Sequence, residues 1–276
     1  FLFQVCSKTV QMNHDYEISR KIWEGVVPVE FVLDSDVVES SRAFYTMVQR
    51  TSYLPLVLPK VLAFFSSLCE DAKLDLEHLC LEFNRVQLKL YYPVGVLYDL
   101  HKNDDALPWT ISVKIKDSSS DFAGSVGRNV LQSMFIQTIK EADYLRRKAE
   151  VIQSMKPHEH KQLWNAFSHG NFDEFWNVNR KLAEESKEEF LRVPVRFYKT
   201  GEAVRQISLC PREKDGLLLT LEDALTRLEG GEEFVQKVSA ISHGISLPLT
   251  TPLLWMVQNL AYPDNFVHIV LIGRKL

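Results

Sequence analysis

Val27-Pro28-Val29-Glu30-Phe31 returns later in the chain as Val193-Pro194-Val195-Arg196-Phe197. The alternation of apolar residues in each copy is that of a half-buried strand. The segments downstream of the two copies are parallel as well. In the first half, Pro93-Val94-Gly95-Val96-Leu97-Tyr98 leads to Leu107-Pro108-Trp109 and then to Ile111-Ser112-Val113-Lys114-Ile115. In the second half, Pro252-Leu253-Leu254-Trp255-Met256-Val257 leads to Tyr262-Pro263-Asp264 and then to Phe266-Val267-His268-Ile269-Val270-Leu271. One small α+β module is therefore present twice, with a different segment between the copies. A repeated module suggests a scaffold that positions partners more than a single catalytic cleft.

Working outward, the first copy is expected to hold strands at 26–33 and 51–56 and a helix at 60–68. Next comes a hairpin, Leu79–Phe83 with Val86–Leu90, turning at Asn84-Arg85. A short helix from Pro93 and a last strand at 111–116 complete it. The second copy starts at Leu191, with a helix at Leu221–Leu228 and a polar turn at Gly230–Glu233. Strand, strand, helix, strand, strand, short helix, strand is the order of the ubiquitin β-grasp module. The fold class is α+β, two ubiquitin-like β-grasp domains flanking a helix-rich region.

Between the copies, the Asp117–Asp121 polar run marks a boundary. Leu131, Phe135, Thr138, Ala142, Leu145, Ala149 and Ile152 then recur at spacings of 3 and 4, the stripe of one long helix that Pro157 ends. Two shorter helices are expected at 160–168 and 172–185, their aromatic residues forming a small core. The expected division is an extension or expression remnant over 1–11 (before Met12), an N-terminal helix over 12–24 capped by Asn13 or Asp15, a first ubiquitin-like domain over 25–118, a helix-rich domain over 119–189, and a second ubiquitin-like domain over 190–276.

Bulk properties exclude several functions. A net charge of −4 offers no electrostatic footprint for nucleic acid. No apolar run approaches the roughly 20 residues that span a bilayer. Cys6, Cys69, Cys80 and Cys210 form no CxxC pair, so free buried thiols in a reducing, cytoplasmic compartment are expected. His158-x-His160 and His78-x-Cys80 have no partner pair at zinc-site spacing, and no cofactor is expected. A nucleophile elbow and a phosphate-cradling glycine loop are both missing from the sequence.

On the long helix, Lys140 lies roughly 160–200° from the buried stripe and must face outward. Ile136, Ile139, Asp143 and Tyr144 are its candidate docking neighbours. Two readings fit it: a surface lysine paired with a carboxylate of its own helix, or an amine that attacks an acyl thioester, which needs exposure, rigid support and a docking surface. Arg146, Arg147 and Lys148, with Arg196, Lys199 and Arg205, are either ordinary solvated charge or contacts to anionic lipid.

The chain from Met12 onward resembles the autophagy protein 5 family. The matching pieces are Arg20–Gly25 with Val27-Pro28, Thr51–Leu54, Tyr92–Gly95, Leu107–Trp109, Ile139-Lys140-Glu141-Ala142-Asp143, His160–Trp164, Phe172–Trp176, His243–Ile245 and Tyr262–Phe266. The resemblance implies that Lys140 accepts the C-terminal glycine of the ubiquitin-like autophagy protein 12 in an isopeptide bond, delivered by separate activating and conjugating enzymes. The chain itself would hold no catalytic residue. It further implies a ligase-like conjugate that promotes transfer of autophagy protein 8 from its conjugating enzyme to phosphatidylethanolamine. A helix of autophagy protein 16 would bind non-covalently and recruit the complex peripherally to the preautophagosomal membrane. Two alternatives remain: a non-covalent β-grasp adaptor for partner helices, and a chain that is itself a modifier through Gly273, whose closeness to the last strand leaves little reach.

Overall fold

The computed structural model describes residues 14–34, 42–67, 79–101, 106–115, 127–183, 190–229 and 231–274. The readings placed on residues 1–11, Asn13, Cys6, Cys69, His78, the 117–121 boundary and the tail beyond Arg274 lie outside them. Helix α1 (Tyr16–Glu24) is capped by the Asp15 carboxylate, which accepts from the Glu17 and Ile18 amides.

The first sheet holds β1 (Val26–Asp34), β2 (Ala43–Gln49), β3 (Leu79–Phe83), β4 (Val86–Gln87) and β5 (Trp109–Ile115) in the order β2-β1-β5-β3-β4. Strands β1 and β5 run parallel, and all other neighbours are antiparallel. Helices α2 (Leu58–Ser66) and α3 (Val94–His101) complete the unit. Val27, Val29 and Phe31 point inward and are buried. The parallel ladder to β5 begins at Val29, one residue past Pro28, which lacks a donor to offer it.

The expected second strand was misplaced. Residues 43–49 form it, with exposed Tyr45 and Met47 alternating with half-buried or buried Phe44, Thr46 and Val48. The 51–56 stretch is instead a turn running into a 3₁₀ helix at Leu54–Leu56, where Pro55 fixes the backbone angle that a helix start needs.

The helical segment comprises α4 (Arg128–Arg147), α5 (Glu150–Ser154), α6 (Pro157–Ser168) and α7 (Phe172–Ala183). Two expectations fail here. The long helix stops at Arg147, because Lys148 and Ala149 both adopt left-handed conformations (φ 54° and 66°). Pro157 starts a helix rather than ending one, as its missing N–H suits a first-turn position.

The second sheet repeats the first: β6 (Val193–Tyr198), β7 (Arg205–Leu209), β8 (Val238–Ser242), β9 (Ile245–Ser246) and β10 (Val267–Gly273) in the order β7-β6-β10-β8-β9, with β6 parallel to β10. Helices α8 (Leu221–Glu229), α9 (Glu232–Lys237) and α10 (Leu253–Asn259) accompany it. Of the expected Gly230–Glu233 turn, Gly230 lies outside the described residues, and Glu232 and Glu233 belong to α9. Cys80 is buried, but Cys210 is an exposed free thiol, against the expectation of buried ones.

The three cores interlock. Tyr198, Tyr262 and Val270 of the second module pack into the first module's core. Ile22 of α1 packs on the second module's core, while Trp23 and Tyr53 enter the helical one. At the seam, Arg50 Nη2 donates to Asp99 Oδ1 at 2.5 Å, and the Gly244 amide donates to Asp99 Oδ2 at 2.9 Å. Gly95 allows a close approach to Arg50, since a β-carbon there would stand 3.0 Å from Arg50 Cβ and carbonyl oxygen.

Candidate functional site

Helix α4 carries Lys140 because Leu131, Phe135, Ile139 and Ala142 bury its opposite face. Ile139 replaces Thr138 on that stripe: it is fully buried, whereas Thr138 is half-buried. Lys140 is exposed, as expected, and lines an open trough of about 560 Å³ with Gln137, Ser133 and Ile136 on one wall and His160 and Lys161 of α6 on the other.

Of the four expected docking neighbours, two cannot serve. Ile139 belongs to the helical core. Asp143 is 2% exposed, its carboxylate accepting from the Ile152 amide at 2.8 Å and from Arg147 Nη1 at 3.2 Å. A buried carboxylate needs those donors, and its placement ties the end of α4 to the start of α5. Ile136 is half-buried, and Tyr144 stands out at 63% exposure. Only these two share the surface with Lys140.

The carboxylates nearest Lys140 in sequence are thus both engaged elsewhere. Glu141 Oε2 accepts from Arg196 Nη2 at 3.3 Å, and Oε1 accepts from Gln206 Nε2 at 2.6 Å. Among the described residues, Lys140 makes no ion pair.

The basic cluster expected on the surface is mostly interior. Arg146 and Arg147 are 0% and 4% exposed. Arg146 donates to the Leu182 carbonyl at 3.2 Å, to Asn265 Oδ1 at 3.0 Å and to the Asn265 carbonyl. Arg147 reaches the Leu182 carbonyl at 3.1 Å, and both guanidinium groups lie over the Phe190 ring. Burial pulls Arg146 down to about 9, still charged at neutral pH. Arg196 is also committed, Lys199 pairs with Glu202, and Arg205 donates to the Leu228 carbonyl. Neither a solvated basic face nor a lipid-facing one is built from Arg146 and Arg147.

On the far side of α4, a recess of about 270 Å³ opens where the three units meet, lined among others by Tyr53, Tyr92, Thr138, Arg196 and His268. Its floor is a hydrogen-bonded chain: Tyr198 Oη to His268 Nδ1 at 2.7 Å, and His268 Nε2 to Asp264 Oδ2 at 2.9 Å. Burial pushes the Asp264 carboxyl up, but its interactions with His268, Arg196 and the Phe266 amide together bring it below its ordinary range. Burial pushes the Tyr53 and Tyr198 hydroxyls well up, so both stay protonated. Sequence reasoning missed this network. Tyr198 on β6 lies 70 residues before His268 on β10, and no local pattern links it to the Asp264–His268 pair.

Among the described residues, no group of His, Cys, Asp and Glu is arranged to hold a metal, and no helix is long and apolar enough to cross a membrane.

Family models match three stretches: the UblA domain of autophagy protein ATG5 over 22–115, its alpha-helical bundle region over 128–185, and its UblB domain over 192–271. The chain is 39% identical over 273 residues to autophagy-related protein 5 of Caenorhabditis elegans, covering 94% of this chain and 98% of that protein. It is 36% identical to autophagy protein 5 of Drosophila melanogaster, covering 94% and 97% respectively. The fold is similar to the crystal structure of Kluyveromyces marxianus Atg5, with a TM-score of 0.79 at 21% identity, over 93% of this chain and 99% of that one. Two ubiquitin-like sheets about a helical bundle, matched along almost the whole length, leave one conclusion: the chain belongs to the autophagy protein 5 family, and its role lies in autophagy.

Proposed function

We propose that this chain is the acceptor and scaffold of a ubiquitin-like conjugation, with Lys140 as the nucleophile and autophagy protein 12 as the modifier. The observation that carries the reading is the freedom of Lys140: it is exposed on a helix braced from behind, while Glu141 and Asp143 are bound to other groups. In the reaction, the Lys140 Nζ lone pair attacks the thioester carbonyl of the modifier's C-terminal glycine. A C–N bond forms, the C–S bond breaks, the conjugating enzyme leaves as thiolate, and the amine's proton passes to solvent. The chain contributes the amine and its support, with no catalytic residue of its own.

The conjugate would then promote transfer of autophagy protein 8 from its conjugating enzyme to phosphatidylethanolamine, with a helix of autophagy protein 16 recruiting it peripherally to the preautophagosomal membrane. The organisation that goes with this is three domains at 25–118, 119–189 and 190–276. Lys140→Arg is the test: with activating and conjugating enzymes and autophagy protein 12 present, the wild-type chain shifts by one modifier mass and the variant does not, at unchanged melting temperature. An adduct mapped to another lysine would overturn the site. A single unshifted wild-type band would favour a non-covalent adaptor.

A further inference from the structure

The residue next to Lys140 is gripped by the second ubiquitin-like module, and the grip is built from donors that hold each other. Arg196 on β6 and Gln206 on β7 are direct cross-strand partners. Arg196 Nε donates to Gln206 Oε1 at 2.9 Å, which turns the Gln206 amide so that its Nε2 faces Glu141. The Arg196 guanidinium lies 3.9 Å from the centre of the Phe266 ring, and its Nη1 is 4.0 Å from the buried Asp264 carboxylate. Its remaining terminal nitrogen, Nη2, is aimed at Glu141. Each donor also has a second partner that orients it, and both Glu141 oxygens are engaged.

We infer that Arg196 and Gln206, through Glu141, are positioning residues for the acceptor amine. Successive residues on a helix project about 100° apart. With both Glu141 oxygens bonded to the second sheet, the roll of α4 is biased at this point, and Lys140 is directed away from that sheet into the trough lined by Gln137 and His160. An amine attacking a thioester on a separate, docked enzyme must reach a carbonyl carbon whose place it does not control. Misplacement by about 1 Å can cost up to a hundredfold in such a reaction. The inference rests on the conjugation reading above.

Glu141→Ala, Gln206→Ala and Glu141→Gln separate the possibilities. The measurement is single-turnover transfer of autophagy protein 12 from its charged conjugating enzyme to the full chain, with adduct sites mapped by mass spectrometry. Glu141→Ala and Gln206→Ala should slow transfer to Lys140 by about tenfold at saturating enzyme, with half-saturation and melting temperature unchanged and some adduct diverted to Lys161 in the same trough. Glu141→Gln keeps an acceptor for Arg196 and should recover most of the rate. A loss of fold stability would instead lower the melting temperature and would not split the rate from half-saturation. Alanine variants that transfer to Lys140 at the wild-type rate would overturn the positioning role alone. A wild-type chain modified at another lysine, or at none, would overturn it together with the conjugation reading.

Discussion

The two ubiquitin-like modules differ at the variable position of their shared motif. In the first module Glu30 sits opposite Tyr45 on β2 and Thr110 on β5. In the second, Arg196 occupies the same place, opposite Gln206 on β7 and His268 on β10. Glu30 accepts from Tyr45 at 2.6 Å and Thr110 at 2.7 Å, a local arrangement on a sheet face open to water. Arg196 reaches Glu141 on α4, Asp264 and the Phe266 ring. The β6 strand packs against α4. Identical topology thus yields one free sheet face and one that grips a helix, and three register-matched residues mark the difference.

The connecting turns show the same division. Asn84 and Arg85, between β3 and β4, have positive φ and are exposed. His243 and Gly244, between β8 and β9, also have positive φ, but His243 is 8% exposed. It is stacked 4.1 Å from Tyr262 and donates through Nε2 to the Leu260 carbonyl at 3.0 Å.

Breaking the gripping face should cost most. Asp264→Ala removes the carboxylate that serves Arg196, His268 and the Phe266 amide, and should destabilise the chain by about 3–5 kcal/mol in chemical denaturation. A loss below about 1 kcal/mol would make the two faces energetically alike and end the comparison. The buried turn comes next. Burial, reinforced by the nearby Arg50 and His268 charges, lowers His243 to about 3 despite its bond to Leu260. The unfolded chain therefore takes up this proton first, near pH 6.5. Stability from this group is complete above pH 6.5 and falls with acidification, by about 1.4 kcal/mol per pH unit, until about pH 3. His243→Asn, which tolerates positive φ, should flatten that part of the stability–pH curve, and an unchanged acid slope would sink the assignment. Smallest is Tyr45→Phe on the free face, expected to leave the melting temperature within experimental scatter. A clear drop would show that the first face is not idle.

Much of this was readable in the sequence where neighbours in space are neighbours in pattern. The inward Val27-x-Val29-x-Phe31 and its later copy required only a period of two, and Lys140's outward direction only the helical repeat. The failures share a cause. The break at Lys148-Ala149 has no glycine or proline to announce it. It is accompanied by the Leu191 amide, from far along the chain, bonding to the Arg146 carbonyl, and by the Asp143 carboxylate of α4 reaching across the break to the Ile152 amide. Arg146 and Arg147 looked like surface charge because their acceptors, at Leu182 and Asn265, lie far along the chain. Ile139 was assigned to the wrong face because Thr138 fits the same spacing one residue earlier.

The seam at Arg50, Asp99 and Gly244 has a consequence for how the chain comes apart. Side chains of the second module complete the core of the first, and a backbone amide of the second satisfies a buried carboxylate of the first. Neither half can melt without stripping the other of packing and of a partner for charge. Domains joined by a polar linker ordinarily unfold in sequence. Here the heat-absorption profile should show a single peak whose calorimetric and van't Hoff enthalpies agree, the signature of one thermodynamic body made from a duplicated part.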